Sequence, residues 1–300
     1  LTDRQGNIID FQYLRTAGNP EGVVRKGLAS IRERFGEVKF TAVGITGSGR
    51  ERIGRMMGAD AIRDEITAQA KAAGHWNPPA DTVFEIGGQD SKFISLKNGE
   101  VADFQMNKIC AAGTGSFVEE QAARMGIPIS EFGPLALTSG NPSELGERCT
   151  VFIETAIASA ESAGAGQADI AAGLCHAIVR NYLHKVVGTK KVGDHIVLQG
   201  GVDYNPGIVA AFQSAYGDKV TVSPVFSISG AYGASLLAYE SVGMKVGEGG
   251  KPEKESTFLG FDFPSKEVKK QDMTEEIRKN KELYKMAGQF SMRGYDATID

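Results

Sequence analysis

Residues 81–94 read DTVFEIGGQDSKFI, and this stretch decides the fold. Residues 82–86 are a short apolar, β-rich run that stops at Gly87-Gly88, the pattern of a buried strand closed by a tight turn. Residues 92–96 give it a partner strand, Asn98-Gly99 a two-residue hairpin turn, and residues 101–106 a third strand. Glu85 lies inside the apolar run, where a carboxylate needs a partner or a task. A carboxylate one residue before a Gly-Gly turn can hold Mg²⁺ through water while the turn cradles phosphates. Gln89 and Asp90 follow that turn directly.

Outward from this centre the same strand–glycine–helix unit recurs. Residues 40–45 (FTAVGI) read as a strand ending in Thr46-Gly47-Ser48-Gly49, and residues 195–198 as a strand ending in Gly200-Gly201. Cys110 leads into Gly113-Thr114-Gly115 and a helix over residues 116–125, with Ser116 and Glu119 at capping-box spacing. Further helices are predicted over residues 19–35, 62–73, 149–163, 170–187, 205–216 and 229–240, and further strands over residues 7–15 and 220–222. Residues 75–80, with Pro78-Pro79, form a linker between two series of units. Two α/β lobes follow, whose ligand belongs beyond the carboxyl ends of the strands. One glycine pair is no more than a turn; five at strand ends favour phosphate or nucleotide, because only a glycine backbone comes close enough to aim its N–H groups at phosphate oxygens. Neither GxxxxGK[ST] nor GxGxxG occurs, so a P-loop enzyme or a Rossmann dehydrogenase is not indicated.

The chain has 300 residues, 41% hydrophobic and 23% charged, with 38 glycines. That is a globular composition with glycine at nearly twice the usual ~7%. The net charge of −4 argues against a nucleic-acid binder of the basic type. No apolar run approaches the ~18 residues of a membrane span. Three cysteines cannot close a disulfide framework and suit a reducing, cytoplasmic setting. Cys110 and Cys149 each stand just before a predicted helix, where thiol pKa is lowered. Two thiolates cannot complete a four-iron site, whereas two copies of the chain can. Cys175 falls mid-helix and reads as packing. His75, His176, His184 and His195 show no metal-ligand spacing. From about residue 243 the chain turns polar, with one further helix near residues 274–286.

The segments Glu85-Ile-Gly-Gly-Gln-Asp-Ser-Lys92, Cys110-Ala-Ala-Gly-Thr-Gly-Ser-Phe117 and Cys149-Thr-Val-Phe152 resemble the ATP-dependent activators of 2-hydroxyacyl-CoA dehydratases and benzoyl-CoA reductases. Gly44-Ile-Thr-Gly47, Glu65-Ile-Thr67 and Gly200-Gly-Val202 with Asn205 are similar to the same family, and the likeness runs over about residues 1–240. The resemblance implies an actin-like ATPase fold, α/β, with two RNase H-like lobes and a nucleotide cleft between them. It implies a first lobe over residues 1–79, a second over 80–227, a helix over 228–242 returning to the first, and a polar tail or further module over 243–300. It implies a homodimer that shares one [4Fe-4S] cluster through Cys110 and Cys149 of each copy. Catalytic residues would be Glu85, Gln89 and Asp90. ATP or ADP with Mg²⁺ would meet Gly47, Gly87, Gly88, Gly113, Thr114, Gly115, Gly200, Gly201 and Asn205. The activity implied is ATP-dependent one-electron reduction of a dehydratase or reductase acceptor, fed by a ferredoxin- or flavodoxin-type donor, without nucleic acid or membrane. The family's first phosphate motif would precede Leu1, so the chain is expected to be a fragment of a larger activase-like protein. Glu85 stands where the family usually has aspartate, and Gln69 where it often has histidine. Two alternatives are an actin-fold small-molecule kinase without a cluster and an inactive interaction module.

Overall fold

A computed structural model describes residues 1–16, 18–107, 113–146 and 150–263, without the side chains of residues 150–152. Cys110, Cys149 and the helix expected near residues 274–286 lie outside the described residues. Residues Leu1–Phe263 belong to one unit.

Helix α1 (Pro20–Phe35) starts where its sequence says it should, with Asn19 accepting a hydrogen bond from the Gly22 N–H and proline in the first turn. Strand β1 (Gly44–Ile45), helix α2 (Arg50–Met57) and strand β2 (Ala61–Ile62) follow, and β1 pairs in parallel with β2. Asp64 caps helix α3 (Glu65–Trp76) by accepting from the Thr67 N–H at 2.9 Å. Strands β3 (Thr82–Ile86), β4 (Ser91–Lys97) and β5 (Glu100–Met106) form an antiparallel meander. Its Asn98-Gly99 turn has φ of 55° and 78°, the left-handed pair that a two-residue hairpin requires.

Helices α4 (Gly115–Arg124), α5 (Ile129–Leu137), α6 (Thr150–Ser162) and α7 (Gln167–Tyr182) come next, then β6 (Ile196–Gln199), α8 (Pro206–Tyr216), β7 (Val220–Val222) and α9 (Ser229–Ser241). The main sheet has the order β5-β4-β3-β6-β7, with β6 and β7 parallel to β3. Alternation along the strands splits the core in two. Phe84, Ile86, Phe93, Ile196 and Leu198 face one way, into a cluster with residues of α4, α5, α7 and α8. Val83, Ile94, Leu96 and Val197 face the other way, against Ile66, Ala70 and Ala73 of α3. Helix α9 lies so close to α3 that a Cβ at Gly233 would sit 1.8 Å from the Ala68 carbonyl oxygen.

Several local expectations are corrected. Residues 7–15 form no strand; only a Thr2–Ile8 bridge appears there, and Ile9, Phe11 and Tyr13 are more than half exposed. The strand expected over 40–45 shrinks to Gly44–Ile45, and α3 begins after Ile62, which belongs to β2. Helix α2 escaped a sequence reading because its three arginines mask a narrow buried face of Ile53, Met56 and Met57. Helix α5 escaped because Pro134, normally a breaker, sits inside it. The Ser116–Glu119 capping box does not form. Thr114 holds the cap position, Ser116 is already helical, and its hydroxyl donates to the Gly88 carbonyl instead. Beyond residue 243 the polar stretch still carries anchors: Phe263 is buried against Leu28, Ile53, Met56 and Met57, with the Arg25 guanidinium 4.1 Å over its ring.

Candidate functional site

The Gly-Gly turn after β3 is bound to the start of α4. The Gly115 N–H donates to the Gly87 carbonyl at 2.9 Å and the Ser116 N–H to the Gly88 carbonyl at 2.8 Å. The Gly87 N–H closes the turn onto the Asp90 carbonyl at 2.9 Å. These bonds consume carbonyls and leave the Gly88 and Gln89 N–H groups without an acceptor among the described residues. Open amides at the mouth of a helix N-terminus suit an anion. A Cβ on Gly88 would meet nothing within 4 Å among the described residues, so this glycine faces a cavity.

The cavity has a volume of about 800 Å³. Gly88, Gln89, Gly115, Gly201 and Asn205 line it together, although up to 117 positions separate them in sequence. Tyr13, Arg15 and Tyr204 contribute further wall, and Arg15 pairs with Glu119 at 3.1 Å. Asn205 accepts from the Gly207 and Ile208 N–H groups through Oδ1, which caps α8, while its buried Nδ2 has no partner among the described residues. Of the other residues expected at the site, Gly113 and Thr114 are buried just ahead of α4. Gly200 turns toward the backbone of Ile86, and Gly47 follows β1. Cys175 is buried beneath the α8 cap, its thiol 3.9 Å from Asn205 Oδ1 and pushed up to about 12 by burial, in keeping with packing.

Beside the cavity lies a second group of polar side chains, on the sheet face that carries α3. Glu85, Lys92 and Gln199 are register partners across β3, β4 and β6. Lys92, 1% exposed, reaches Glu85 at 2.8 Å, Asp90 at 2.6 Å and Glu65 at 3.0 Å through its ammonium. Burial alone would lower the Lys92 pKa, but the charges of Glu85 and Asp90 outweigh it and the pKa is raised. Burial, the largest influence on Glu85, pushes its carboxyl up to about 7 in spite of Lys92. Asp203, buried and with Oδ2 unpartnered among the described residues, is lifted well above the carboxylate range by burial and by the Glu85 charge. Glu85 and Asp90 thus meet at Lys92, while Gln89 faces the cavity. Sequence reasoning quoted Lys92 and Glu65 inside motifs without giving either a task. Their signal was an ionisable residue inside an apolar strand and a glutamate opening a helix.

This arrangement predicts a pH signature. The folded chain holds the Glu85 proton up to about pH 7, whereas an ordinary glutamate releases it near 4.5. Between those values the folded state binds more proton than the unfolded one, so the Glu85 contribution to stability falls as pH rises through the window. Glu85→Gln is neutral throughout and escapes that fall. Its melting temperature relative to wild type is expected to climb from about pH 5 to about pH 8. Equal offsets at the two pH values would show that Glu85 does not titrate there.

The model of the BadF/BadG/BcrA/BcrD ATPase family matches residues 11–238. The (R)-2-hydroxyglutaryl-CoA dehydratase activating ATPase of Acidaminococcus fermentans is 36% identical over 224 residues, covering 74% of this chain and 83% of that protein. The crystal structure of the Acidaminococcus fermentans (R)-2-hydroxyglutaryl-CoA dehydratase component A superposes with a TM-score of 0.73 at 29% identity, covering 79% of this chain and 91% of that one. The activator of the 2-hydroxyisocaproyl-CoA dehydratase from Clostridium difficile, solved with bound ADPNP, superposes with a TM-score of 0.70 at 29% identity, covering 80% and 88%. These likenesses bear out the actin-like α/β fold that the sequence motifs implied.

Proposed function

The chain belongs to the BadF/BadG/BcrA/BcrD ATPase family, and from that premise we propose that it is an ATP-dependent activator that passes single electrons to a 2-hydroxyacyl-CoA dehydratase or a benzoyl-CoA reductase-type partner. One observation carries the nucleotide half of this reading. The open Gly88 and Gln89 amides, the N-terminus of α4 and the capping Asn205 converge on one cavity of nucleotide size. In our reading the triphosphate lies along Gly87, Gly88, Gln89 and Gly115, and the nucleoside lies toward Gly201 and Asn205. Gln89 and Asp90 then flank the reacting phosphate, and Glu85 acts through Lys92. Mg²⁺ would arrive with the nucleotide. Gly47, Gly113, Thr114 and Gly200 would shape the site from behind.

The electron half rests on the two cysteine segments. Cys110 and Cys149 of each of two copies would hold a [4Fe-4S] cluster, which when bound supplies a one-electron store. In sequence, α6 starts at the residue after Cys149, and α4 starts five residues after Cys110. The α4 N-terminus is also hydrogen-bonded to the Gly87-Gly88 turn. A change in what that turn holds is therefore felt at the helix that follows Cys110. Nucleotide state can act on the cysteines only as far as the nucleotide binds one arrangement more tightly than the other. A ferredoxin- or flavodoxin-type donor would refill the store, in a reducing cytoplasm.

The test is the rate at which a chelator strips iron from the anaerobically purified 300-residue chain, without nucleotide, with ADP and with a non-hydrolysable ATP analogue. A coupling of ~1.4 kcal/mol, inside the usual allosteric range, makes the ADP and analogue rates differ by about tenfold. Identical rates at saturating nucleotide would remove the activator mechanism. A colourless protein that still bound ATP would point to a kinase.

A further inference from the structure

A lysine two residues after a phosphate-binding turn invites the reading of a phosphate ligand. The geometry points elsewhere. The Lys92 ammonium donates hydrogen bonds to Glu85 and Asp90, and its charge is paired with Glu65 at 3.0 Å. Its side chain is 2% exposed and is not among the residues that line the cavity.

The three carboxylates have different origins. Glu85 is the last but one residue of β3, just before the turn, and Asp90 ends the turn. One ammonium therefore ties both ends of the loop that carries Gly88 and Gln89. Glu65 opens α3, which packs along the same face of the sheet, so its N-terminus lies at the rim where β3 ends. Glu65 is 27 positions away from Lys92 in sequence and reaches it only through that packing. Tyr182 fixes the strand from the opposite face, its hydroxyl donating to the Lys92 carbonyl at 2.8 Å.

We propose that Lys92 is the positioning residue of the turn at residues 87–90 and that Glu65 anchors it from α3, so that the two act as one strut between the helix and the turn. This rests on the reading of the adjoining cavity as the nucleotide site. The strut holds Glu85 and Asp90 in place and touches no nucleotide. Its loss therefore acts on turnover rather than on nucleotide binding. The polar atoms that would bind the phosphates, the Gly88 and Gln89 amides and the α4 N-terminus, are held separately by the Gly115 and Ser116 bonds.

The test uses the whole 300-residue chain and its Mg-ATPase. Glu65→Gln keeps the shape of a side chain that is already one-quarter exposed and removes its charge. Loss of that ion pair is expected to lower kcat about tenfold and to leave KM within about twofold. Lys92→Met removes both hydrogen bonds and the ion pair with Glu65 and is expected to cost about a hundredfold in kcat or more. Adding Glu65→Gln to Lys92→Met should then change nothing further, because the two side chains act as a unit. A purely stabilising pair would lower melting temperature without this split between kcat and KM. If Lys92→Met does not fold, the Glu65→Gln split decides alone. An unchanged kcat in Glu65→Gln, or equal costs of that change with and without Lys92, overturns the strut while wild type still binds and turns over ATP. Wild type that binds no nucleotide by calorimetry overturns the reading of the cavity, and the strut falls with it.

Discussion

Cys110→Ala and Cys149→Ala, each purified without oxygen, are expected to carry no iron and to lose the broad absorption near 400 nm that marks iron–sulfur centres, roughly as known for such clusters. The reason is multiplicity. In a symmetric dimer each substitution removes two of four thiolates, and two remaining ligands do not hold a cluster. Cys175→Ala is the internal control. Its thiol is 1% exposed in the main core and raised to about 12 by burial, so it is an apolar filler rather than a thiolate. Iron content and colour should survive that change, at a modest cost in stability. Iron lost from the Cys175 variant and retained in the other two would reverse the ligand assignment.

The second large effect separates two glycines that look alike in sequence. Gly88 and Gly200 each begin or end a Gly-Gly pair after a strand. Valine at Gly88 has room, since nothing among the described residues lies within 4 Å of its Cβ position, so the variant is expected to fold and fill the cavity. ATP affinity should fall by about tenfold or more, ~1.4 kcal/mol, read by calorimetry. Alanine at Gly200 has no room. Its φ is +112°, and its Cβ would lie 2.2 Å from the Ile86 carbonyl oxygen, where β6 ends against β3. Backbone strain and overpacking together should cost about 3 kcal/mol or more of stability. The denaturant midpoint should therefore drop sharply for Gly200→Ala and little for Gly88→Val. The opposite pattern would mean that the cavity is not the ligand site and that the Gly200 approach is not rigid.

What the sequence determined by itself is local. Strand β7 and helices α1 and α9 were legible to within a residue or two, because caps, β-branched runs and small-residue patterns act over a few positions. The Asn98-Gly99 turn was legible because only such a pair accepts two successive positive φ values. The GGQDSK turn and the cysteine segments were legible as motifs, and they carried the family. Where local signals conflicted with the outcome, a longer-range contact had overridden them. Ser116, at capping-box spacing with Glu119, gave its hydroxyl to Gly88, and Glu119 turned to Arg15. Helix α5 tolerated Pro134 because Phe132 and Ala136 are buried in the main core.

Only the tertiary structure decided which residues share a space. Glycines that read as equal members of one phosphate set took different tasks, with Gly88 and Gly201 on the cavity and Gly200 against Ile86. Glu85, a candidate metal carboxylate by its position before the turn, became the partner of a buried ammonium. Lys92 acquired Glu65 as a third partner because α3 lays its apolar stripe on the same sheet face and so brings its first residue to the end of β3. The physical reason is common to all of these. A motif fixes dihedral preferences and hydrogen-bond capacity over a turn or two, whereas charge pairing depends on which faces are buried against each other. That choice is made by the apolar side chains of α3 and the sheet, which bring Glu65 to Lys92 across 27 positions of sequence.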